Sequence, residues 1–275
     1  MNFTKSVLAF STLVILNGCV VVASPSYADV HLTKELTLDA KSLSELEVEA
    51  GAGSLSIIGQ EGLTEIQVKA EIYTSSEDHS DYELTLSDSG STGHLIAKRK
   101  SHSGFWSGDS HSAHIDLEVL VPQHLMLDIE DGSGDALVKN MNSTVKVKDG
   151  SGELIIHNIA GDVTIVDGSG RIQITKVVGN LDITDGSGEM KVSGIKGHIE
   201  IEDGSGSITV NNVEGNTHLE DGSGDLTVSH VSGMVTVKDG SGDIDVQDAG
   251  GLKVLETGSG GLRIKNVKGE FEIDS

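Results

Sequence analysis

Residues 221–228 read DGSGDLTV. The same four opening letters, Asp-Gly-Ser-Gly, also begin at Asp131, Asp149, Asp167, Asp185, Asp203 and Asp239, each 18 residues from the next. An eighth copy reads TGSG from Thr257. A fixed period of this length marks a repeat architecture and is interpreted before any single element. With the Asp as position 1, position 6 holds Ala136, Leu154, Ile172, Met190, Ile208, Leu226, Ile244 and Leu262. Position 8 holds only Val or Ile, from Val138 to Ile264. Position 17 is Val, Ile or Leu throughout, position 15 is aliphatic in Val145, Val163, Leu181, Ile199 and Val235, and position 11 is always apolar. Mostly polar residues lie between these columns.

Alternation of apolar and polar residues is the period of a half-buried strand. Each unit therefore carries two short strands, near positions 5–9 and 14–18, joined by two turns. One turn is the DGSG; the other ends in Gly at position 13, as at Gly161, Gly179 and Gly197. Two strands per unit are compatible with hairpins, but near-identical units at one spacing favour a solenoid, where each residue stacks on its equivalent one coil away. The predicted fold is all-β: a parallel β-solenoid with 18-residue coils, two strands per coil and a narrow aliphatic core. At about 4.8 Å per coil, eight coils extend roughly 38 Å.

The flanks are less regular. "GGLKVLE" from Gly250 puts Leu252 and Val254 where polar residues usually sit and Lys253 at an inward place, which predicts a bulge or register shift and an apolar surface spot. "LEVEAGAGSLSIIG" from Leu46 is a degenerate coil with AGAG in place of DGSG. "HIDLEVLVPQHLMLDIEDGSG" from His114 is strand, Pro turn, strand and first strict repeat. The expected organisation is a signal peptide over residues 1–28, irregular coils and a cap over 29–130, and the regular solenoid over 131–275, continuous with the part before it. In the closing "EFEIDS", Glu270, Glu272 and Asp274 discourage edge pairing and Phe271 is placed to plug the core.

This layout resembles a bacterial envelope family of β-strand-repeat domains that carries an adhesin label and is otherwise of unknown function. The residues that carry the resemblance are "LEVEAGAGSLSIIG", "IDLEVLVPQHLMLDIEDGSG" and the Gly-Ser-Gly run, roughly residues 45–275. It implies an exported, non-enzymatic β-solenoid and supplies no catalytic residues.

Acids outnumber Lys plus Arg by 43 to 19, which argues against a nucleic-acid partner. At the N-terminus, Lys5 precedes an apolar run from Val7 to Ala23, and "SPSYADV" offers cleavage at Ala28/Asp29. A competing reading takes "LNGC" as a lipoprotein signal with lipid on Cys19, the single cysteine. Asn17 and the "VVVA" that follows depart from that motif, so ordinary cleavage is preferred. Polar breaks make the run weak as a membrane span. Export to the periplasm or surface of a bacterium follows either way, with no internal disulfide and no transmembrane segment in the mature chain.

The acid column poses the functional question. Stacked about 4.8 Å apart, neighbouring carboxylates repel by roughly 1 kcal/mol in water and 3–4 at an effective dielectric near 20. A local explanation is that each Asp accepts hydrogen bonds from turn amides two or three residues on. The alternative is a calcium ladder on Asp131, Asp149, Asp167, Asp185, Asp203, Asp221 and Asp239, helped by position 5 acids such as Asp135, Glu153, Glu189, Asp225 and Asp243. The nonapeptide calcium roll also spends 18 residues per coil, but its motif recurs twice per coil. Here Arg171, Ser207 and Gly261 interrupt position 5. A polysaccharide-active β-helix enzyme is a weaker alternative, since no repeat carries a long insertion and no nucleophile elbow, zinc or phosphate-loop motif is present. One loop is compositionally odd: "KRKSHSGFWSGDSHSAH" holds Phe105, Trp106, His102, His111 and His114. Covering a solenoid end is its expected role. Phe105, Trp106, His111 and His114 are candidates for contact with an envelope protein or glycan, and H-x-x-H for a metal. The outward position 7 column mixes Leu, Ile, Gln, Lys, Thr, Asp and Arg, so an ice-binding lattice is rejected.

Overall fold

A computed structural model describes residues 30–74, 81–100 and 113–274, all strand, turn and bend with no helix among them. The N-terminal strands are β1 (Val30–Asp39), β2 (Glu45–Ala52), β3 (Leu55–Gln60), β4 (Glu65–Thr74), β5 (Tyr82–Ser89), β6 (Thr92–Arg99) and β7 (His114–Pro122). The repeats supply β8 (Met126–Ser133), β9 (Ala136–Met141), β10 (Val145–Asp149), β11 (Gly152–Ile159), β12 (Val163–Asp167), β13 (Gly170–Val177), β14 (Leu181–Asp185) and β15 (Gly188–Ile195). They continue as β16 (Ile199–Asp203), β17 (Gly206–Val213), β18 (Thr217–Asp221), β19 (Leu226–Ser241), β20 (Ile244–Ser259), β21 (Leu262–Lys265) and β22 (Phe271–Ile273).

The parallel β-solenoid is the observed fold. Even-numbered strands from β8 to β18 stack on one face in parallel, each residue over the one 18 positions on, as in Val145↔Val163 and Val163↔Leu181. Odd-numbered strands from β9 to β17 stack on the other face in the same way, as in Ile156↔Ile174. The long β19 and β20 turn the corner and serve both faces. Between the faces lies one continuous core of stacked Val, Ile, Leu and Met. Identical register makes columns of like side chains, so each coil adds the same burial to its neighbour. Truncating one such fully buried residue to Ala costs about 2–5 kcal/mol.

The degenerate coil is in register: β2 lies beside β8 with Ala50 opposite Asp131 and Ala52 opposite Ser133. Its surroundings differ from a simple succession of coils. β2 sits between β6 and β8, and β3 sits between β7 and β9. The chain thus lays the β2–β3 coil first, passes outward, and returns on its other side at β8. The outermost pairings, β1–β4, β4–β7 and β5–β6, are antiparallel. They bury Leu32, Leu36, Leu38, Tyr82 and Leu86 and close that end of the core.

The register shift at Gly250 is present, between Val231/Met234 and again between Val237/Lys238. Its consequence differs from the expected apolar surface spot. The shift places Leu252 on Val235 and Val254 on Val237, and both are fully buried, while Lys253 falls on the outer surface opposite Thr236. The extra residue emerges as Leu255, which is 36% exposed. Phe271 stacks in the core column over Leu252 but remains 53% exposed.

Candidate functional site

Strand β10 alternates strictly: Val145 in, Lys146 out, Val147 in, Lys148 out, Asp149 in. The same alternation recurs in β12, β14, β16 and β18. The acid of each DGSG is therefore the last inward residue of a strand, and all seven Asp are 0–6% exposed. They line one inner edge of the core from Asp131 to Asp239. Ala50 continues the column, and Ala97 lies beyond it.

One oxygen is accounted for in the six carboxylates after Asp131. From Asp149 to Asp239, Oδ1 accepts the backbone N–H of the Ser two residues on, at 3.0–3.3 Å. The turn permits this because Gly at position 4 has φ between +131° and +152° in Gly134, Gly152, Gly170, Gly206, Gly224 and Gly242, values that L side chains rarely adopt. A Cβ on Gly152 would also lie 1.7 Å from the Gly134 carbonyl oxygen. The other oxygen, Oδ2, is buried without a partner in every copy, and at Asp131 both oxygens are. No Lys, Arg or His among the described residues pairs with the column.

Burial raises the proton affinity of the whole column. Asp131 is pushed up to about 7, first by burial and then by the charge of Asp149. Asp185 and Asp221 rise to about 6, again by burial first and then by neighbouring Asp. Asp149, Asp167, Asp203 and Asp239 are raised for the same leading reason, and the Ser amide bond partly opposes it. Seven carboxylates on one low-dielectric edge retain protons more readily than separate ones.

The position 5 acids lie on the far side of the turn wall. Asp135, Asp225 and Asp243 are exposed, and each accepts the backbone N–H of the residue 18 positions on, at 3.1, 3.1 and 2.7 Å. Arg171 lies between Glu153 and Glu189, at 3.5 and 3.1 Å. The charge of Asp225 reaches the column at Asp239 and adds to the rise there, after burial. Among the described residues no group of three His, Cys, Asp or Glu side chains could hold a metal ion.

Phe105, Trp106 and His111, like Cys19, lie outside the described residues. His114 is described. It stacks on Tyr73, whose other side stacks on His31, both at 4.5 Å between ring centroids. Beside this trio, Glu71 Oε2 lies 2.7 Å from both His31 Nε2 and Thr33 Oγ1, and Lys69 is 3.0 Å from Oε1. The Thr33 hydroxyl and the Lys69 ammonium hold the Glu71 carboxyl below its ordinary range. Only His114 of this cluster was recognisable in sequence. The others converge through antiparallel pairing of β1, β4 and β7, which no local pattern announces.

The model of one protein family, described as Toastrack DUF4097, matches residues 43–252. No curated protein matches. Among solved structures, a "putative cell adhesion protein" from Clostridium sporogenes is 15% identical with a TM-score of 0.33, over 88% of this chain and 98% of that one. A "putative adhesin" from Parabacteroides distasonis is 12% identical with a TM-score of 0.37, over 88% and 97%. Another from Bacteroides fragilis is 12% identical with a TM-score of 0.31, over 89% and 97%.

Proposed function

The chain belongs to the Toastrack DUF4097 family, and we propose that it is an exported, non-catalytic β-solenoid serving the bacterial envelope as a scaffold or adhesin-like interaction surface. The observation that carries this reading is the contrast between its columns. Inward columns keep one residue class over successive coils, whereas outward columns change at nearly every coil. Position 16 runs Lys146, Thr164, Asp182, Glu200, His218 and Thr236; position 18 runs Lys148, Val166, Thr184, Glu202, Glu220 and Lys238. A rigid, repeated core presents a non-repeated surface, which suits recognition. The net charge of −24 favours a basic or cation-bearing partner, whether envelope protein or glycan.

The test is saturable binding to purified bacterial envelope. Replacing Glu200, Glu202 and Glu220 by Lys should weaken it about tenfold while leaving the thermal melt unchanged. Binding that never saturates, or that ignores this reversal, would remove the reading. N-terminal sequencing of the secreted protein checks the leader: cleavage at Ala28/Asp29 is expected, and a lipid-modified Cys19 would replace it.

A second reading, calcium on the acid column, is supported by the unpartnered Oδ2 atoms. Melting in EDTA and then in millimolar calcium separates the two. A large calcium-specific rise, absent with magnesium, supports ion binding; indifference to both discards it.

A further inference from the structure

The outer surface is not polar everywhere. Where β1, β4 and β7 extend the face made by β3, β9 and β11, a groove of about 960 Å³ opens among Glu35, Lys69, Glu118, Ser56, Leu120 and Ile58. The strand registers set one row of residues across this face: Glu35, Lys69, Glu118, Ser56, Leu137 and Ile155, one from each of six strands. All of them lie on the outer side of their strands. The row starts inside the groove and leaves it toward Leu137.

The row is divided in its chemistry. The first half is acidic. Lys69 gives its ammonium to Glu71 Oε1 at 3.0 Å. Glu118 and Glu35, on either side of it, reach it only through space, and their carboxylates enter no ion pair among the described residues. The second half is aliphatic. Leu137 and Ile155 are half-buried, and half-buried Leu120 and Ile58 lie in the next row, in register with each other. The aliphatic patch ends where Gln173 follows Ile155 and Lys139 follows Ile58. Aliphatic side chains gathered on an outer face mark a contact surface. The acidic half repels phosphate, so neither a nucleic acid nor an anionic bilayer fits. A helix laid across the strands fits the spacing. Neighbouring strands are about 4.8 Å apart, close to the roughly 5–6 Å between helix side chains three and four positions apart. The row spans about 24 Å, the length of about 16 helical residues.

We propose that this row docks an amphipathic helix of a partner protein, with Lys or Arg over Glu35 and Glu118 and aliphatic side chains over Leu120, Leu137 and Ile155. The two free carboxylates require a base from outside the chain, and the aliphatic half gives the helix a direction. The site lies on the face opposite β16 and β18, which carry Glu200, Glu202 and Glu220. It therefore goes beyond the envelope-binding reading, and its failure would leave that reading in place.

Fluorescence anisotropy with a labelled synthetic helix of about 16 residues tests it, with Lys along the first half of one face and Leu along the second. Saturable one-to-one binding to the full chain is expected. Changing Glu35 and Glu118 together to Gln should weaken it about tenfold, and Leu137→Ser about fivefold. Changing Glu256 and Glu270 together to Gln removes the same charge at exposed positions far from the groove and should leave binding unchanged. An isomeric helix that alternates Lys and Leu along the same face should bind about fivefold more weakly. All substituted positions lie on the surface, and unchanged melts confirm that the variants fold. Binding that does not saturate, equal losses from the two Gln pairs, indifference to Leu137→Ser, or equal binding of the two helices would each overturn the proposal.

Discussion

Strands β1–β7 and the repeats after Asp131 build the same two faces by different means. From Asp149 on, each DGSG corner is made by an inward Asp, a Ser amide that bonds to it and a glycine at positive φ. In the β2–β3 coil the same corner is made by Ala50, Gly51, Ala52 and Gly53, in register with Asp131 to Gly134. No acid is present, yet the strand turns at the same place. The corner geometry therefore needs its glycines and tolerates loss of the carboxylate. The Asp column adds a turn bond in each coil and carries, in return, a line of buried carboxylate oxygens that the N-terminal coil avoids.

The largest expected effect comes from the glycines. Gly188→Ala would place a Cβ 1.6 Å from the Gly170 carbonyl oxygen at φ +156°. A destabilisation of about 3 kcal/mol or more is expected, because backbone on both sides must move. The contrasting site is Gly62, at φ +75° with nothing within 4 Å of an added Cβ. Gly62→Ala should cost only about 1 kcal/mol. Urea melts of both variants measure the difference; equal costs would mean that coil-to-coil contact at the glycine wall is not what restricts it.

Transplanting the acid sharpens the comparison. Ala50→Asp extends the column beside Asp131, whose carboxyl is already the most proton-retaining of the row. A loss of about 1–3 kcal/mol is expected at pH 8, falling toward zero at pH 4.5, where the column can hold its protons. An equal loss at both pH values would point to steric misfit instead of charge.

The wild-type pH profile follows from the same row. These Asp have folded pKa values above the ordinary 3.8, with values near 6 to 7 at Asp131, Asp185 and Asp221. Folding then takes up protons in the window between about 4 and 7. The contribution is fully present below pH 4 and is lost as pH rises through 6 to 7. The melting temperature should accordingly be higher at pH 5 than at pH 8, opposite to a protein held together by carboxylate ion pairs. Asp185→Asn keeps an oxygen for the Ser187 amide and removes the charge, so it should flatten the profile and stabilise by about 1 kcal/mol at pH 8. An unchanged profile would show that the column is ionised at little cost.

Much of this was legible in sequence, and the omissions have physical causes. The period, the two strands per coil and the register of AGAG on DGSG are local patterns repeated many times. The inward direction of the Asp was also legible, since positions 15, 17 and 1 of the next unit continue one alternation. Leu252 and Val254 looked outward because a fixed spacing of 18 was carried through a coil whose register shifts. The N-terminal order of strands was not legible, because β2 meets β8 only through contacts about 80 residues apart in the chain. The same holds for the stack of His31, Tyr73 and His114.

A smaller contrast lies at the second corner. The repeats pass it through a left-handed residue at position 10: Asn140, Asn158, Lys176, Asn212, His230, Asp248 and Asn266, with φ between +55° and +61°, and Gly194 at +74°. Strand β3 passes the equivalent place at Gly59 without one. Asn and Asp adopt this conformation at little cost, whereas Lys does so with strain. Lys176→Gly should therefore stabilise the protein by about 0.5–1 kcal/mol, despite the entropy that glycine adds to the unfolded chain. Gly194 supplies the internal reference: Gly194→Lys should lose a similar amount. If neither substitution moves the melt, the left-handed corner is relaxed, and the repeats differ from the N-terminal coil there in shape alone.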